Sequence, residues 1–276
     1  MAIHLSSRRT FLAGGMALAG VRRLPAATAR LQDDLKLGVA TYSFRKFTRA
    51  QMIDMVRQLG VIYLSVKDVH LPYNSTPKQL AAARKEFADA GLKVLSGGVI
   101  YFEEPGRIRS FFEYAKGAGM PMIIAGPTHQ TLPMLEPMVK EFDIKVAIHN
   151  HGPGDRNFPT PQSALEAIKH MDERIGLCID IGHTARAGID ILEAIRQAGP
   201  RLLDLHVKDL KDTSVKGEAV PVGEGVLPIA PMFKLLRQLN YQGGVMLEYE
   251  VDADNPLPGM QKSFAYMRGV LAGLRA

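Results

Sequence analysis

Short apolar runs rich in β-branched residues alternate along this chain with segments whose apolar positions recur at i, i+3, i+4 and i+7. The first run is Leu37–Phe44, and Met52, Met55, Val56 and Leu59 then mark one face of a helix. Val61–Val66 is the second predicted strand, followed by an Ala-, Lys- and Glu-rich helix that opens after Pro77 and stops at Gly91. The strand series continues with Val94–Tyr101, Met122–Ala125, Lys145–Asn150, Gly176–Ile181, Leu202–Lys208 and Val245–Tyr249. Helices are predicted from Pro105 to about Gly117, over Leu135–Phe142, Pro161–Met171 and Ile189–Ala198. Two more follow, one with a buried face of Met232, Leu235, Leu236 and Leu239, the other of Met260, Phe264, Met267 and Leu271. Strict βα alternation with continuous apolar strands predicts a parallel sheet buried on both faces. Eight such units between Lys36 and Ala276 fit an α/β fold, a single (β/α)8 TIM barrel of about 250 residues. No Gly-rich dinucleotide or phosphate loop follows the first strand, which argues against an open Rossmann sheet.

Residues 1–29 break this pattern. They carry Arg8, Arg9, Arg22 and Arg23 and no acidic residue. The order Ser7-Arg8-Arg9-Thr10-Phe11-Leu12 is followed by a short small-residue apolar run and by Ala27-Thr28-Ala29, a small-x-small cleavage pattern. We expect a twin-arginine signal peptide over 1–29, a barrel domain over 30–276 and a periplasmic mature protein. The apolar run is too short and Gly-rich for stable membrane insertion.

Charge then reads differently. The chain of 276 residues has 34 Lys/Arg against 28 Asp/Glu, a formal net of +6 that by itself invites a nucleic-acid partner. Without the four leader arginines the net falls to +2, and the chain has no Trp, so no nucleic-acid partner is expected. The apolar share of 46% excludes a disordered chain. The lone Cys178 excludes an intrachain disulfide framework or a thiolate-rich metal site.

In a barrel, functional groups gather at the C-terminal ends of the strands. Strand five ends His149-Asn150-His151-Gly152, strand six Asp180-Ile181-Gly182-His183, strand seven His206-Val207-Lys208-Asp209 and strand eight Glu248-Tyr249-Glu250. Residues two apart share a face, so His149 goes with His151 and His206 with Lys208. Imidazoles and carboxylates converging from four strands suit one divalent cation, with Mn²⁺, Zn²⁺ or Co²⁺ matching an N/O donor set. Taken singly, each residue has a plain alternative: a satisfied core histidine, Asp180 capping a loop, Glu248 paired with Lys208.

These strand ends resemble the xylose isomerase-like superfamily of barrels, the sugar phosphate isomerases/epimerases, over essentially the whole mature chain. The resemblance is carried by Gly38-x-x-x-Tyr42-Ser43, Ile179-Asp180-x-Gly182-His183, Leu205-His206-Val207-Lys208-Asp209, Pro221-Val222-Gly223-Glu224-Gly225 and Leu247-Glu248. It implies a metal held by Asp180, His206 and Glu248 and by a residue of strand five. The family's common Glu-Asn-His reads His149-Asn150-His151 here, so the fourth ligand falls to His149, with His151 or water as the alternative. One of the two glutamates that such epimerases use as an acid/base pair is therefore missing.

A metal that chelates neighbouring hydroxyl and carbonyl oxygens acidifies the adjacent C–H. Return of the proton to the neighbouring carbon isomerises, return to the opposite face epimerises, and loss of a β-substituent eliminates. We expect His151 as base, Glu248 as ligand and second acid/base group, and Lys208 either holding a substrate oxygen or forming an ion pair. His183, His70 and Tyr42 are candidate substrate contacts, and Tyr42 and Phe102 candidate walls for a sugar ring. The expected function is a metal-dependent isomerase/epimerase of a free or keto-sugar. The first alternative is a lyase acting on 3-keto-glycosides or keto-inositols, and the second a non-catalytic periplasmic sugar-binding barrel. A homodimer is expected only from the habit of such barrels.

Overall fold

Threonine caps start the helices near where the periodicity puts them. Thr48, Thr76 and Thr160 each accept a backbone N–H three residues on, and Gln51, Gln79 and Ser163 answer from that position. Gly60 and Gly119 close α1 (Arg49–Leu59) and α3 (Ile108–Ala118) in the left-handed conformation that glycine adopts without strain.

The computed structural model describes residues 35–275; the predicted leader and the domain boundary at residue 30 lie outside them. Eight parallel strands close a barrel: β1 (Lys36–Ala40), β2 (Tyr63–Val66), β3 (Lys93–Phe102), β4 (Met122–Pro127), β5 (Lys145–His149), β6 (Ile175–Asp180), β7 (Leu202–Val207) and β10 (Gly244–Leu247). A small hairpin, β8 (Asp209–Leu210) with β9 (Ala219–Val220), follows β7. Around the barrel lie α1, α2 (Pro77–Asp89), α3, α4 (Leu132–Phe142), α5 (Pro161–Ile168), α7 (Ile191–Ala198), α8 (Ile229–Gln238) and α9 (Leu257–Gly273). The short α6 (Ile181–Arg186) sits directly on the end of β6. Among the described residues no helix is long and apolar enough to cross a membrane.

Alternation along each strand separates two layers. Val146, Ile148, Leu177, Ile179, Leu205, Val207, Val245 and Leu247 join the large core shared with the helices. Val99, Met122, Ile124, Ala147 and Cys178 form a small second cluster, and Asp204, His206 and Glu248 are buried at positions that alternate with the outer set. The donors at the strand ends are thus the last inward-facing positions of β5, β6 and β7 and, for Glu248, the residue that follows β10.

Four elements differ from the sequence-based expectation: the hairpin, α6, α8 and β3. The hairpin and α6 are too short to show a period. Leu239, expected on the buried face of α8, is exposed, and Phe233 is buried in that helix instead. Phe102, a candidate wall for a sugar ring, is fully buried in the outer core. The cause is an extra residue in β3, where Gly97 pairs Ile123 and Ile100 pairs Ala125, three steps against two. That bulge reverses the parity of the strand, so Phe102 turns outward to the helices and Tyr101 to the mouth.

A candidate metal centre at the barrel mouth

His149, Asp180, His206 and Glu248 bring one ligating atom each to within 4.8 Å of one another, all four buried. His149 Nε2 lies 3.1 Å from His206 Nδ1 and 3.5 Å from Asp180 Oδ2; His206 Nδ1 lies 3.4 Å from Glu248 Oε1. The strand-five member is His149. His151 sits outside this group, its ring centroid 4.5 Å from that of His149.

Each donor is fixed by its own neighbours. Asn150 reaches across to β6, its Oδ1 accepting the Asp180 N–H at 3.0 Å and its Nδ2 donating to Thr184 Oγ1 at 3.1 Å. Asp180 Oδ1 accepts the His183 N–H at 2.8 Å and so caps α6, which turns Oδ2 toward the other donors. One oxygen of Asp180 thus serves as a cap, and the other faces the remaining donors. Ser43 accepts the Tyr249 N–H at 2.8 Å and donates to the Ala40 carbonyl, tying the strand end that carries Glu248 to β1. Gly38 lets β1 approach β2, since a Cβ there would meet the Tyr63 carbonyl at 2.5 Å.

Lys208 is 2% exposed and points into the cluster. Its ammonium lies 3.1 Å from Asp180, 2.9 Å from Glu248 and 2.6 Å from Glu250. Three N–H groups face three carboxylates, so of the two roles expected for Lys208 the ion pair is the one occupied. Though buried, both Asp180 and Glu248 are held well below the usual carboxylate range by Lys208, and Lys208 is held well above the usual amine range by them. Burial pushes His149 down to about 3, so its ring is neutral at pH 7. His206, buried as deeply, is drawn well above the usual imidazole range by Cys178 and Glu248. Burial pushes the Cys178 thiol up to about 12, which makes it an inert inner-wall residue.

The donor set fits a divalent ion. Asp180 and Glu248 converge with two imidazoles in a buried place, an arrangement that is costly unless each donor is paired, by Lys208 or by a cation. Of the atoms that face one another in the cluster, Asp180 Oδ2 is buried without a hydrogen-bond partner, although Lys208 is near it. Two imidazole nitrogens facing each other can share at most one proton, and a cation between them removes that conflict. Two imidazoles and two carboxylates are donors for Mn²⁺, Zn²⁺ or Co²⁺.

The rim holds the other candidates. His151 and His183 line a cavity of about 250 Å³ together with Arg186 and Lys216. His151 Nε2 lies 3.1 Å from Tyr101 Oη and its Nδ1 3.3 Å from Asp155 Oδ2. Tyr42 is half-buried with the Arg45 guanidinium 4.7 Å over its ring. His70 is placed elsewhere: it is buried, its Nδ1 3.0 Å from Thr41 Oγ1, and none of its recorded partners belongs to the cluster. Cavities of about 440 and 500 Å³ open at the opposite strand ends near Lys36, Lys145 and Gly243, and hold none of these residues. Tyr101, Asp155 and Glu250 were not singled out by sequence reasoning; only the Glu248-Tyr249-Glu250 alternation pointed toward one of them.

A family model, the xylose isomerase-like TIM barrel, matches residues 131–270, just over half of the chain. The chain belongs to that family. The match spans α4 to α9 and so includes all four donors. An inosose dehydratase of Mesomycoplasma hyopneumoniae is 28% identical over 152 residues, 48% of this chain and 50% of its own. The chain thus spans about half the length of the curated relatives it matches. An uncharacterised protein of Parabacteroides distasonis superposes with a TM-score of 0.68 at 26% identity, over 86% of this chain and 99% of its own. A 3-keto-D-glucoside 4-epimerase of E. coli shares the fold at a TM-score of 0.67 and 18% identity, over 85% and 99%.

Proposed function

We propose that this protein is a divalent-metal-dependent enzyme that moves a proton beside the carbonyl of a free or keto-sugar, with isomerisation or epimerisation as the outcome. The observation that carries this reading is the buried His149–Asp180–His206–Glu248 cluster, whose two imidazoles and two carboxylates each turn one ligating atom toward the others, a donor set that fits one divalent cation. Such an ion, when bound, polarises neighbouring hydroxyl and carbonyl oxygens as a Lewis acid.

The remaining chemistry belongs to the chain. Glu248, itself one of the four donors, also serves as a proton-transfer group; His151 stands on the substrate side at the rim. Lys208 keeps Asp180 and Glu248 ionised, so both are ready as ligands and neither needs to shed a proton first. His183 and the half-buried Tyr42 are the proposed sugar contacts. In this reading His70 is a structural residue held against Thr41.

A second reading is favoured by one feature. Where His149 replaces a glutamate, one carboxylic acid/base of a two-sided proton exchange is lost, while β-elimination from a 3-keto-glycoside or keto-inositol needs a single base. The inosose dehydratase relatives fit that outcome as well as an isomerase.

Metal analysis of the purified chain, then incubation with ketoses and 3-keto-glycosides in D₂O, tests both readings. Bound metal with deuterium at the carbon beside the carbonyl supports the proposal, and release of a β-substituent selects the lyase. No metal, and no exchange after addition of Mn²⁺, Zn²⁺ or Co²⁺, would leave a sugar-binding barrel without turnover. The Glu248→Gln enzyme should lose metal retention and turnover together.

A further inference from the structure

His151 has no ring nitrogen left for a substrate. Nδ1 faces Asp155 Oδ2 and Nε2 faces Tyr101 Oη, at 3.3 and 3.1 Å. Asp155 is itself fixed, because its other oxygen accepts the N–H groups of Asn157 and Phe158 at 2.7 and 3.2 Å. A carboxylate beside Nδ1 keeps a proton on that nitrogen and leaves Nε2 of the neutral ring as an acceptor. Tyr101 therefore donates its O–H to His151, and its phenol oxygen keeps an unused lone pair.

Tyr101 is 51% exposed, yet its ring is held on several sides. His151 stacks on it with centroids 5.6 Å apart and planes 26° from parallel, and the Lys67 ammonium lies 5.9 Å from its centroid. Gly126 on β4 makes room for it, since a Cβ there would meet Tyr101 Cδ1 at 2.8 Å. Burial first, then the charges of Glu248 and Asp155, raise the phenol above its ordinary range, so the hydroxyl keeps its proton. A half-exposed aromatic pinned in this manner beside a buried donor cluster is an oriented hydrogen-bonding group, with its ring edge open.

We propose that Tyr101 is the rim residue that touches the sugar, its phenol oxygen accepting a hydrogen bond from a substrate hydroxyl. His151 and Asp155 are positioning residues that act through it. This rests on reading the cluster as a sugar-enolising centre, and it assigns His151 a different task from the base expected of it. The ligand class follows: a polyhydroxylated carbonyl compound that presents an O–H donor to the β3 side of the mouth.

The test uses the full chain loaded with Mn²⁺, with methyl 3-keto-α-D-glucopyranoside as probe. Metal content, KM and kcat for solvent deuterium exchange are measured for wild type, Tyr101→Phe, His151→Ala and the double variant. Tyr101→Phe should keep its metal and raise KM about tenfold, the effect of one lost hydrogen bond to a polar ligand. His151→Ala should match it, and the double variant should be no worse than either, because both changes remove one interaction. Tyr101→Phe kinetics equal to wild type with metal retained would overturn this inference alone. So would a double variant whose loss is the product of the single losses, which would put His151 in its own contact with substrate. Wild type that holds no metal overturns the proposed function itself, and metal-loaded wild type inert toward the probe overturns both.

Discussion

At the scale of single residues, the barrel interior carries more polarity than its volume of apolar neighbours would favour, and Asp204 shows the consequence. It lies one turn of the alternation below His206, fully buried, with its Oδ2 accepting from Ser96 Oγ at 3.0 Å and Oδ1 from the Leu205 N–H at 2.8 Å. Burial raises its pKa to about 6 despite His206 and those two hydrogen bonds. A raised carboxyl pKa means that the folded state holds the proton more tightly than the unfolded chain does. Its contribution is therefore fully present below the unfolded value near pH 4 and is lost as pH rises to about 6. In chelator, Asp204→Asn should raise thermal stability at pH 7 by up to about 3 kcal/mol and change little at pH 4. Equal effects at the two pH values, followed by thermal melts, would show that Asp204 folds as an ordinary carboxylate. The strand-end donors were legible in the sequence because alternation by two puts chemistry on one face. Tyr101 was not, because a one-residue bulge in β3 reverses that alternation where the sequence shows only two glycines.

At the scale of elements, the loop after β7 is organised by one carboxylate. Asp209 is buried, and its two oxygens accept the N–H groups of Leu210, Gly223, Gly225 and Leu227 at 2.9 to 3.1 Å. That explains the run Pro221-Val222-Gly223-Glu224-Gly225. Gly223 has φ +98°, a conformation that favours glycine, and a Cβ on Gly225 would collide with the Asp209 carboxylate. A motif that signalled a family turns out to be a fold device that frames the cluster next to Lys208. Asp209→Ala should orphan four backbone donors and cost about 2 to 4 kcal/mol in denaturant unfolding. A variant as stable as the parent would mean that water replaces the carboxylate without penalty. Helices were legible where Thr caps and glycine stops bracket a full turn or more of periodicity; α6, of six residues, is created by Asp180 acting as its cap and leaves no such trace.

At the scale of the whole molecule, closure of eight parallel strands leaves no unpaired edge and brings β10 beside β1, so residues some 200 positions apart share hydrogen bonds, as Ser43 does with Tyr249. We propose that residues 1–29 direct this folded barrel to the periplasm. Replacing Arg8 and Arg9 together by Lys should hold the protein at its full mass in the cytoplasmic fraction of a host with twin-arginine export, while the parent is recovered shorter and outside. Identical fractionation of the two would remove the export assignment. The sequence by itself determined the architecture and the order of the polar strand ends, because a strict βα period, continuous apolar strands and strand-end motifs are local and need no knowledge of what packs against what. Only the tertiary structure decided that His149 rather than His151 joins the donors, that Lys208 is taken up by three carboxylates, and that Tyr101 meets the mouth in place of Phe102. Each of those depends on distances between side chains from different strands and on strand parity after a bulge, quantities that only the closed barrel sets.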